Sequence, residues 1–198
     1  MLTLSKDTFK YKYYPKTGKE LKDLIRQLLK EKGPDADLND ICISDITDLS
    51  NLFQGLNPGN IKIDKWDVKN VEDMSQMFYM CKNFNADLSK WNVSNVDNMA
   101  LMFFDCQKFN SDLSAWNTGK VRNMTAMFNG CTVFDSDLNN WDLSSVENIS
   151  MMFQYCDNFD KSSTDNWDIS NISDTKKMNA VFDTSADAPS WYRKAIHN

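Results

Sequence analysis

Histidine is almost absent from this 198-residue sequence, and its scarcity limits the chemistry that the chain can support. The single histidine, His197, precedes the C-terminal residue, and chain termini are commonly poorly ordered. The sequence also lacks the G-x-S-x-G, G-x-x-x-x-G-K-[ST] and G-x-G-x-x-G motifs of nucleophilic and nucleotide-binding sites. Because no pair of carboxylates stands out as acid and base either, the sequence predicts a protein that is not an enzyme and uses no cofactor.

Long apolar runs are missing as well. No stretch of about 18 apolar residues occurs, so no membrane span is predicted. The first residues, MLTLSKDTFKYKYY, lack the apolar core and the small-residue cleavage site of a signal peptide. We therefore expect a cytoplasmic location for the chain as given, and a cell-surface location if an N-terminal signal has been removed.

Positive charge is scarce outside the N-terminal segment. Residues 1–32 hold nine Lys and Arg against four Asp and Glu, whereas residues 33–198 hold thirteen against twenty-four. Because phosphate contacts dominate affinity for nucleic acids, the acidic body predicts no nucleic-acid partner. The basic segment is either a docking patch or, as such charge more often is, a solvated helix face.

What the sequence does contain is a 25-residue repeat. Each copy reads W-[DN]-V-S-N-V-x-[DN]-M-x-x-M-F-x-x-C-x-x-F-[DN]-x-D-L-S-x. An imperfect first copy begins at Ile41, and the sixth keeps the pattern only after about three inserted residues. Such self-similarity is typical of repeat architectures, whose copies bury their apolar faces against one another. The tryptophans that begin copies two to six are Trp66, Trp91, Trp116, Trp141 and Trp167.

The apolar pattern within a copy predicts an α/β repeat fold. In the third copy, apolar residues follow Val96 at steps of three and four, which is typical of one face of a helix. The SDLS segment at 111–114 alternates, as a short strand does, with Leu113 inward. We therefore predict a right-handed solenoid with one short parallel strand and one helix per 25-residue coil, in which equivalent Trp and Phe residues stack into ladders.

Both ends of the array have candidate caps. Residues 8–14 alternate as a short strand, and Thr17 and Glu20 have capping-box spacing before an amphipathic helix that Gly33 ends. A repeat array needs caps with a polar outer face. We predict an N-terminal cap over residues 1–40, a solenoid of about six coils over 41–182, and a C-terminal cap or tail over 183–198.

The F-x-x-C-x-x-F element followed by D-L-S-x-W resembles the BspA-like leucine-rich repeat family, in its DUF285 branch, the bacterial surface protein 26-residue repeat. The resemblance covers residues 41–182, and the preceding YYPKTGKELKDLIRQLLKEKGPDADLNDI is similar to the segment common in that family. It implies a leucine-rich-repeat-like solenoid of bacterial or phage origin that binds or adheres. We expect a non-enzymatic scaffold for a protein partner. The alternatives are a surface adhesin or structural segment, and a soluble effector that inhibits a host protein.

The cysteines also follow the repeat. Four occupy one position in successive copies, while Cys42 occupies another. Spacing of 25 residues lacks the C-x-x-C pairs of zinc sites, so no metal site is predicted, and five unpaired cysteines suit a reducing compartment. We interpret the repeated cysteines as buried free thiols that act as small hydrophobic residues. They are Cys81, Cys106, Cys131 and Cys156.

A polar column, here called the Asp face, is one candidate partner-binding surface on the predicted strands. Carboxylates about 5 Å apart repel each other unless cations or N–H groups compensate. Calcium is conceivable, since it prefers oxygen ligands, but the glycine-rich nonapeptide of calcium-binding β-rolls is missing. We favour the interpretation that nearby backbone N–H groups donate to these side chains. The column comprises Asp87, Ser89, Asp112, Ser114, Asp137 and Asn139.

A second candidate, here called the apolar patch, consists of residues that interrupt the repeat pattern. Their positions hold Gln, Asp, Ala, Asn or Gly in other copies. If they face outward on the predicted helical side, they favour partner binding or self-association. The alternative is that one or two pack sideways against a neighbouring coil. The patch comprises Tyr79, Met80, Leu101, Phe104, Met151 and Tyr155.

Overall fold

A computed structural model describes residues 11–184 and 187–196, so His197 and residues 8–10 of the predicted first strand lie outside the described residues. The described chain forms two α-helices, α1 (Gly18–Lys32) and α2 (Ser190–Ile196). Two short 3₁₀-helices cover Lys161–Thr164 and Thr175–Met178. No β-strand occurs in the described ranges, where six isolated parallel β-bridges are the only strand-type pairing. No helix there is long and apolar enough to cross a membrane.

The predicted helix of each copy is wrong. Its apolar residues do recur at steps of three, but the N–H of Met102 bonds to Met99, and that of Cys106 bonds to Phe103. An α-helix would require bonds between residues four apart. These residues therefore form consecutive turns, each of which brings one apolar side chain inward. In addition, Leu101 has a φ of 58°, a left-handed conformation that interrupts a right-handed helix.

The predicted strand is wrong for a related reason. Residues 111–114 form no bridge, and a turn begins at Ser114. Their alternation is real, since Leu113 is buried while Asp112 is exposed. It arises from a turn that keeps one side chain inward rather than from a paired strand. The leucine-rich-repeat-like solenoid with one strand and one helix per coil is thus overturned, and the repeat consists of turns.

Backbone hydrogen bonds nevertheless join successive copies in a constant register. Isolated bridges link Asn98 to Asp73 before it and to Asn123 after it, each 25 residues away. The N–H of Met99 bonds to the carbonyl of Asn123 at 2.9 Å, and that of Leu101 bonds to Thr125 at 2.8 Å. These bonds satisfy backbone groups that regular secondary structure would otherwise pair. Equivalent residues therefore lie above one another in columns.

The predicted Phe ladder is confirmed, and the predicted Trp ladder is confirmed in three of its four steps: Trp66–Trp91, Trp116–Trp141 and Trp141–Trp167. The ring of Phe103 lies 5.6 Å from that of Phe78 and 5.6 Å from that of Phe128. Trp66 and Trp91 stack at 6.4 Å, and the indole N–H of Trp91 donates to a backbone carbonyl. Stacked rings bury large apolar areas, and the bonded indole leaves no polar atom unsatisfied. The ladders are therefore the hydrophobic core.

Helix α1 confirms the sequence prediction for the segment before the array. The Thr17 hydroxyl accepts a bond from the N–H of Glu20, whose carboxylate accepts from the N–H of Lys16. Gly33, with a φ of 86°, ends the helix. The buried face of α1 belongs to the core that continues into the array. Of the predicted N-terminal strand, the described part makes one bridge, from Tyr13 to Ile41.

At the other end, helix α2 extends the tryptophan ladder. Trp191 stacks on Trp167 at 5.9 Å, and its indole N–H donates to the carbonyl of Thr164 at 2.8 Å. Tyr192 is buried beside it and meets Phe182 edge-on at 5.3 Å. The short terminal helix thus covers the aromatic end of the last copy.

Candidate functional site

The Asp face lies on turns rather than on a strand, and each of its carboxylates serves its own turn. The Oδ1 atom of Asp87 accepts hydrogen bonds from the N–H of Ser89 at 2.9 Å and from its hydroxyl at 2.7 Å. These bonds, the hydroxyl first, hold the pKa of Asp87 below its ordinary value. The interpretation that N–H groups compensate the column is confirmed. The same turn bond joins Asp112 to Ser114 and Asp137 to Asn139.

Between these turns the surface forms a shallow polar groove of about 450 Å³. Asn110, Asp112 and Asp135 are among the residues that line it. Throughout the described part of the chain, no group of three or more His, Cys, Asp or Glu side chains is arranged to hold a metal ion. The carboxylates of Asp112 and Asp137 accept bonds from their own turns, and that of Asp135 accepts from the N–H of Asp160 in the next copy. All three face water, so the arrangement is that of a hydrated surface.

An amide ladder beside this groove was not predicted from the sequence. The side-chain oxygen of Asn85 accepts a bond from the N–H of Asn110 at 2.9 Å, and that of Asn110 accepts from the N–H of Asp135 at 2.9 Å. Each of these side chains therefore bonds to the next copy. The signal was present as an Asn or Asp directly after the second Phe in copies two to five, at Asn85, Asn110, Asp135 and Asp160.

The repeated cysteines are buried free thiols, as predicted. The Sγ atom of Cys106 donates to the carbonyl of Phe78 at 3.0 Å, and that of Cys131 donates to Phe103 at 3.0 Å. Burial raises the pKa of Cys81 to about 12 and also that of Cys106, whose shift is large. Because the thiolate is the nucleophile and the metal ligand, these cysteines are chemically inert.

A second groove, of about 640 Å³, crosses the first four copies and was not predicted. Its walls carry Asp45, Glu72 and Asp97, with Lys120 at one end. The Nζ atom of Lys120 donates to the side chain of Asn95 at 2.7 Å, so the cation is held within the groove. Charges of both signs occur there, and no single ligand charge is favoured.

The apolar patch is exposed, but it does not lie on a helical side, because the described copies contain no α-helix. Met80, Met151 and Tyr155 expose 49%, 41% and 62% of their surfaces. The rings of Tyr79 and Phe104 stack on each other at 5.1 Å across neighbouring copies. Three members of the patch therefore face solvent, whereas Tyr79 and Phe104 are partly buried and pack sideways on each other. Binding of a partner at this patch stays a prediction.

Four members of the patch have left-handed backbones. The φ angles are 59° at Met80 and 58° at Leu101, Met151 and Tyr155. Bulky residues rarely adopt this conformation, which costs about 1–2 kcal/mol per residue. Bonds to the next copy hold it in place, such as that from the N–H of Met80 to the carbonyl of Phe104 at 2.7 Å.

A signal for this conformation is present in the sequence, although the left-handed backbone was not predicted. The column of Met80 and Tyr155 also holds Gly55, Asp105 and Gly130, and all five have positive φ. Glycine and aspartate are the residues expected at such a position. The apolar side chains of this column are thus both exposed and placed where a smaller residue is less strained.

Comparison with known families gives one match. A family described as "Mycoplasma protein of unknown function, DUF285" matches residues 24–118 and 94–191. The two segments overlap. Together they cover the array, the C-terminal part of helix α1 and the first residues of helix α2. No curated protein and no solved structure has a significant match to the chain.

Proposed function

Since the chain belongs to the DUF285 family, whose function is unknown, we propose a function from its own surface: it is a non-enzymatic scaffold that binds a protein partner through the apolar patch. One observation carries the proposal. Met80, Met151 and Tyr155 are exposed although their backbones are strained. Hydrogen bonds from their N–H groups hold these backbones in place, but folding regains little apolar burial from side chains that stay exposed.

The other reactive groups support a binding role rather than a catalytic one. The thiols that repeat are buried and protonated, as Cys106 illustrates. The carboxylates of the Asp face accept bonds from their own turns, as at Asp112. A catalytic group must reach its substrate in the required protonation state. The thiols instead link successive copies, and the carboxylates close their own turns.

The apolar patch is favoured over the Asp face as the binding surface. A partner that covered Asp87 or Asp137 would have to remove water from charged carboxylates, and that cost is high unless each finds a new ion partner. A partner that covers Met80 or Tyr155 removes apolar surface from water, which is favourable. A wider relationship to the BspA-like leucine-rich repeat proteins stays a prediction, because the family match reaches only DUF285.

The test removes apolar surface without straining the fold. In the double variant Met80→Gly/Tyr155→Gly, glycine occupies a column where Gly55 and Gly130 already have positive φ. The matched control, Asp112→Asn, changes the Asp face but keeps the oxygen that bonds to its turn. Tagged chains are used for affinity capture from a mycoplasma lysate, and each captured protein is purified for titration.

The proposal expects a captured protein that binds the wild-type chain and the Asp112→Asn control equally. The double variant should raise its Kd by about tenfold or more, as hot-spot truncations do. Equal binding to the double variant, with circular dichroism that shows an intact fold, contradicts the proposal. Weaker binding to the control alone would assign the interaction to the Asp face.

A further inference from the structure

We propose that the partner that covers the apolar patch is a second copy of this chain, packed antiparallel to the first. The inference rests on the proposed function, because it assigns an occupant to the same surface. The two-fold axis lies in the plane of the dimer interface, at the level between copy three, which begins at Trp91, and copy four, which begins at Trp116. A symmetric dimer of this kind is self-complementary, so every contact occurs twice.

The register follows from the columns. The axis is perpendicular to the stack of copies and lies in the plane of the interface. Rotation about it reverses the order of the copies and places each column opposite the same column of the other chain. Copy three of one chain then faces copy four of the other, and copy two faces copy five. Residues that face each other across the interface are therefore those of one column in exchanged copies.

Side-chain sizes are complementary in this register. Copy three presents bulky residues, while the same columns of copy four hold smaller ones, of which Ala126 and Asn129 are buried. Because these side chains are smaller and more buried than Leu101 of copy three and Met151 of copy five, we expect copy four to form a shallow depression between those copies. The bulky residues of each chain fill the depression of the other. The facing pairs are Leu101 with Ala126, Phe104 with Asn129, and Asp105 with Gly130.

The outer copies are complementary in chemistry as well. Met80 of copy two faces Tyr155 of copy five, and the two are the most exposed large hydrophobic residues of the patch. Thioether sulfur and aromatic rings attract each other. At the rim, Lys82 of copy two faces Asp157 of copy five, and both side chains are exposed, although the Nζ atom of Lys82 also lies 3.4 Å from a carboxylate oxygen of Asp105 in its own chain. Opposite charges therefore meet at both edges of the interface.

The other symmetric arrangement does not fit. A two-fold axis along the stack would place every copy opposite itself, so the depression of copy four would face a second depression and leave a void. Voids forfeit packing contacts and are unfavourable. The chain's net charge of −6 opposes any self-association. Salt screens both that repulsion and the attraction between the rim charges, so the variants are compared at one ionic strength.

The test exchanges the rim charges. Sedimentation equilibrium of the purified full-length chain should show a monomer–dimer equilibrium. The single variants Lys82→Asp and Asp157→Lys place like charges opposite each other twice per dimer, so each should raise the dimer Kd by about tenfold or more. Because Lys82→Asp also removes the ion pair with Asp105 of its own chain, the mixture of the two variants is the decisive measurement. Mixing the two variants in equal amounts recreates two opposite-charge contacts in a heterodimer, and the mixture should recover the wild-type Kd. Circular dichroism confirms that each variant is folded.

A wild-type chain that stays monomeric up to millimolar concentration overturns the inference. So do single variants that dimerise as the wild type does, or a mixture that fails to recover. These outcomes leave the proposed function intact if another captured protein loses affinity for the Met80→Gly/Tyr155→Gly variant. If the chain dimerises and the glycine variant dimerises equally well, both the dimer register and the role of the patch are refuted.

Discussion

The thiol of Cys106 donates a hydrogen bond to the backbone carbonyl of Phe78, 3.0 Å away in the preceding copy. The same carbonyl accepts the N–H of Cys81 at 2.9 Å. One oxygen thus joins a turn within its own copy to a side chain of the next. The arrangement repeats at Cys131 and Cys156, so each cysteine is both a core residue and a link between copies.

The burial of these thiols predicts their reactivity. In the folded chain only Cys42, which is partly exposed, should react rapidly with a thiol reagent such as DTNB, while the four repeated cysteines stay protonated and buried. Unfolding in guanidinium should then release all five thiols. Rapid modification of more than one thiol in the native chain would show that the cysteine column is accessible.

Thiol burial also predicts lower stability in alkali. Burial raises the pKa of Cys81 to about 12 in the folded chain, against about 8.5 for an unfolded cysteine. Above pH 8.5 the folded chain therefore retains a proton that the unfolded chain loses. The free energy of unfolding is therefore highest, as far as this thiol is concerned, below pH 8.5. It decreases between pH 8.5 and 12 by about 1.4 kcal/mol per pH unit for each such thiol.

The free energy of unfolding is measured by urea denaturation at several pH values between 8 and 11. The Cys81→Ala variant, measured in the same series, is the control. The variant lacks one titrating thiol, so its free energy of unfolding should decline less steeply than that of the wild type. Parallel curves for the two proteins would show that Cys81 does not contribute to the alkaline loss of stability.

The sequence predicted the repeat and its ladders because both depend only on which side chains recur. Trp141 and Phe103 stack with their equivalents on both sides, since a 25-residue period in a compact chain brings equal residues together whatever the local backbone conformation. The secondary structure could not be predicted in the same way. Apolar residues at steps of three, such as Met99 and Met102, fit an α-helix and a series of three-residue turns equally well.

Two local signals distinguish these structures. Gly130 and Gly55 share a column, which indicates a positive φ that no helix interior accommodates. The recurring [DN]-x-S pattern, as at Asp87 and Ser89, is typical of turns closed by a side-chain oxygen. The apolar patch itself was found because Met80 and Tyr155 differ from their columns. Its strain was not predicted, because strain depends on backbone angles that only the structure gives.

The turns of the Asp face predict a difference between two substitutions of Asp112. Asp112→Ala removes the oxygen that accepts the N–H of Ser114, and should lower the free energy of unfolding by about 1 kcal/mol. Asp112→Asn keeps an equivalent oxygen and should change stability little. Chemical denaturation of the two variants measures the difference. Equal losses would indicate that the charge, rather than the turn bond, stabilises this position.

The left-handed column predicts opposite effects for two glycine substitutions. Met80→Gly removes an exposed side chain from a residue with a φ of 59°, and should stabilise the monomer by about 1 kcal/mol. Gly130→Ala does the reverse, because φ is 79° and the new Cβ would lie 3.2 Å from the Cα atom of Asp105. It should cost more than about 1 kcal/mol. Thermal denaturation at concentrations where the chain is monomeric measures both. If Met80→Gly is instead destabilising, the methionine packs against its own chain, and the argument that its apolar surface is left for a partner fails.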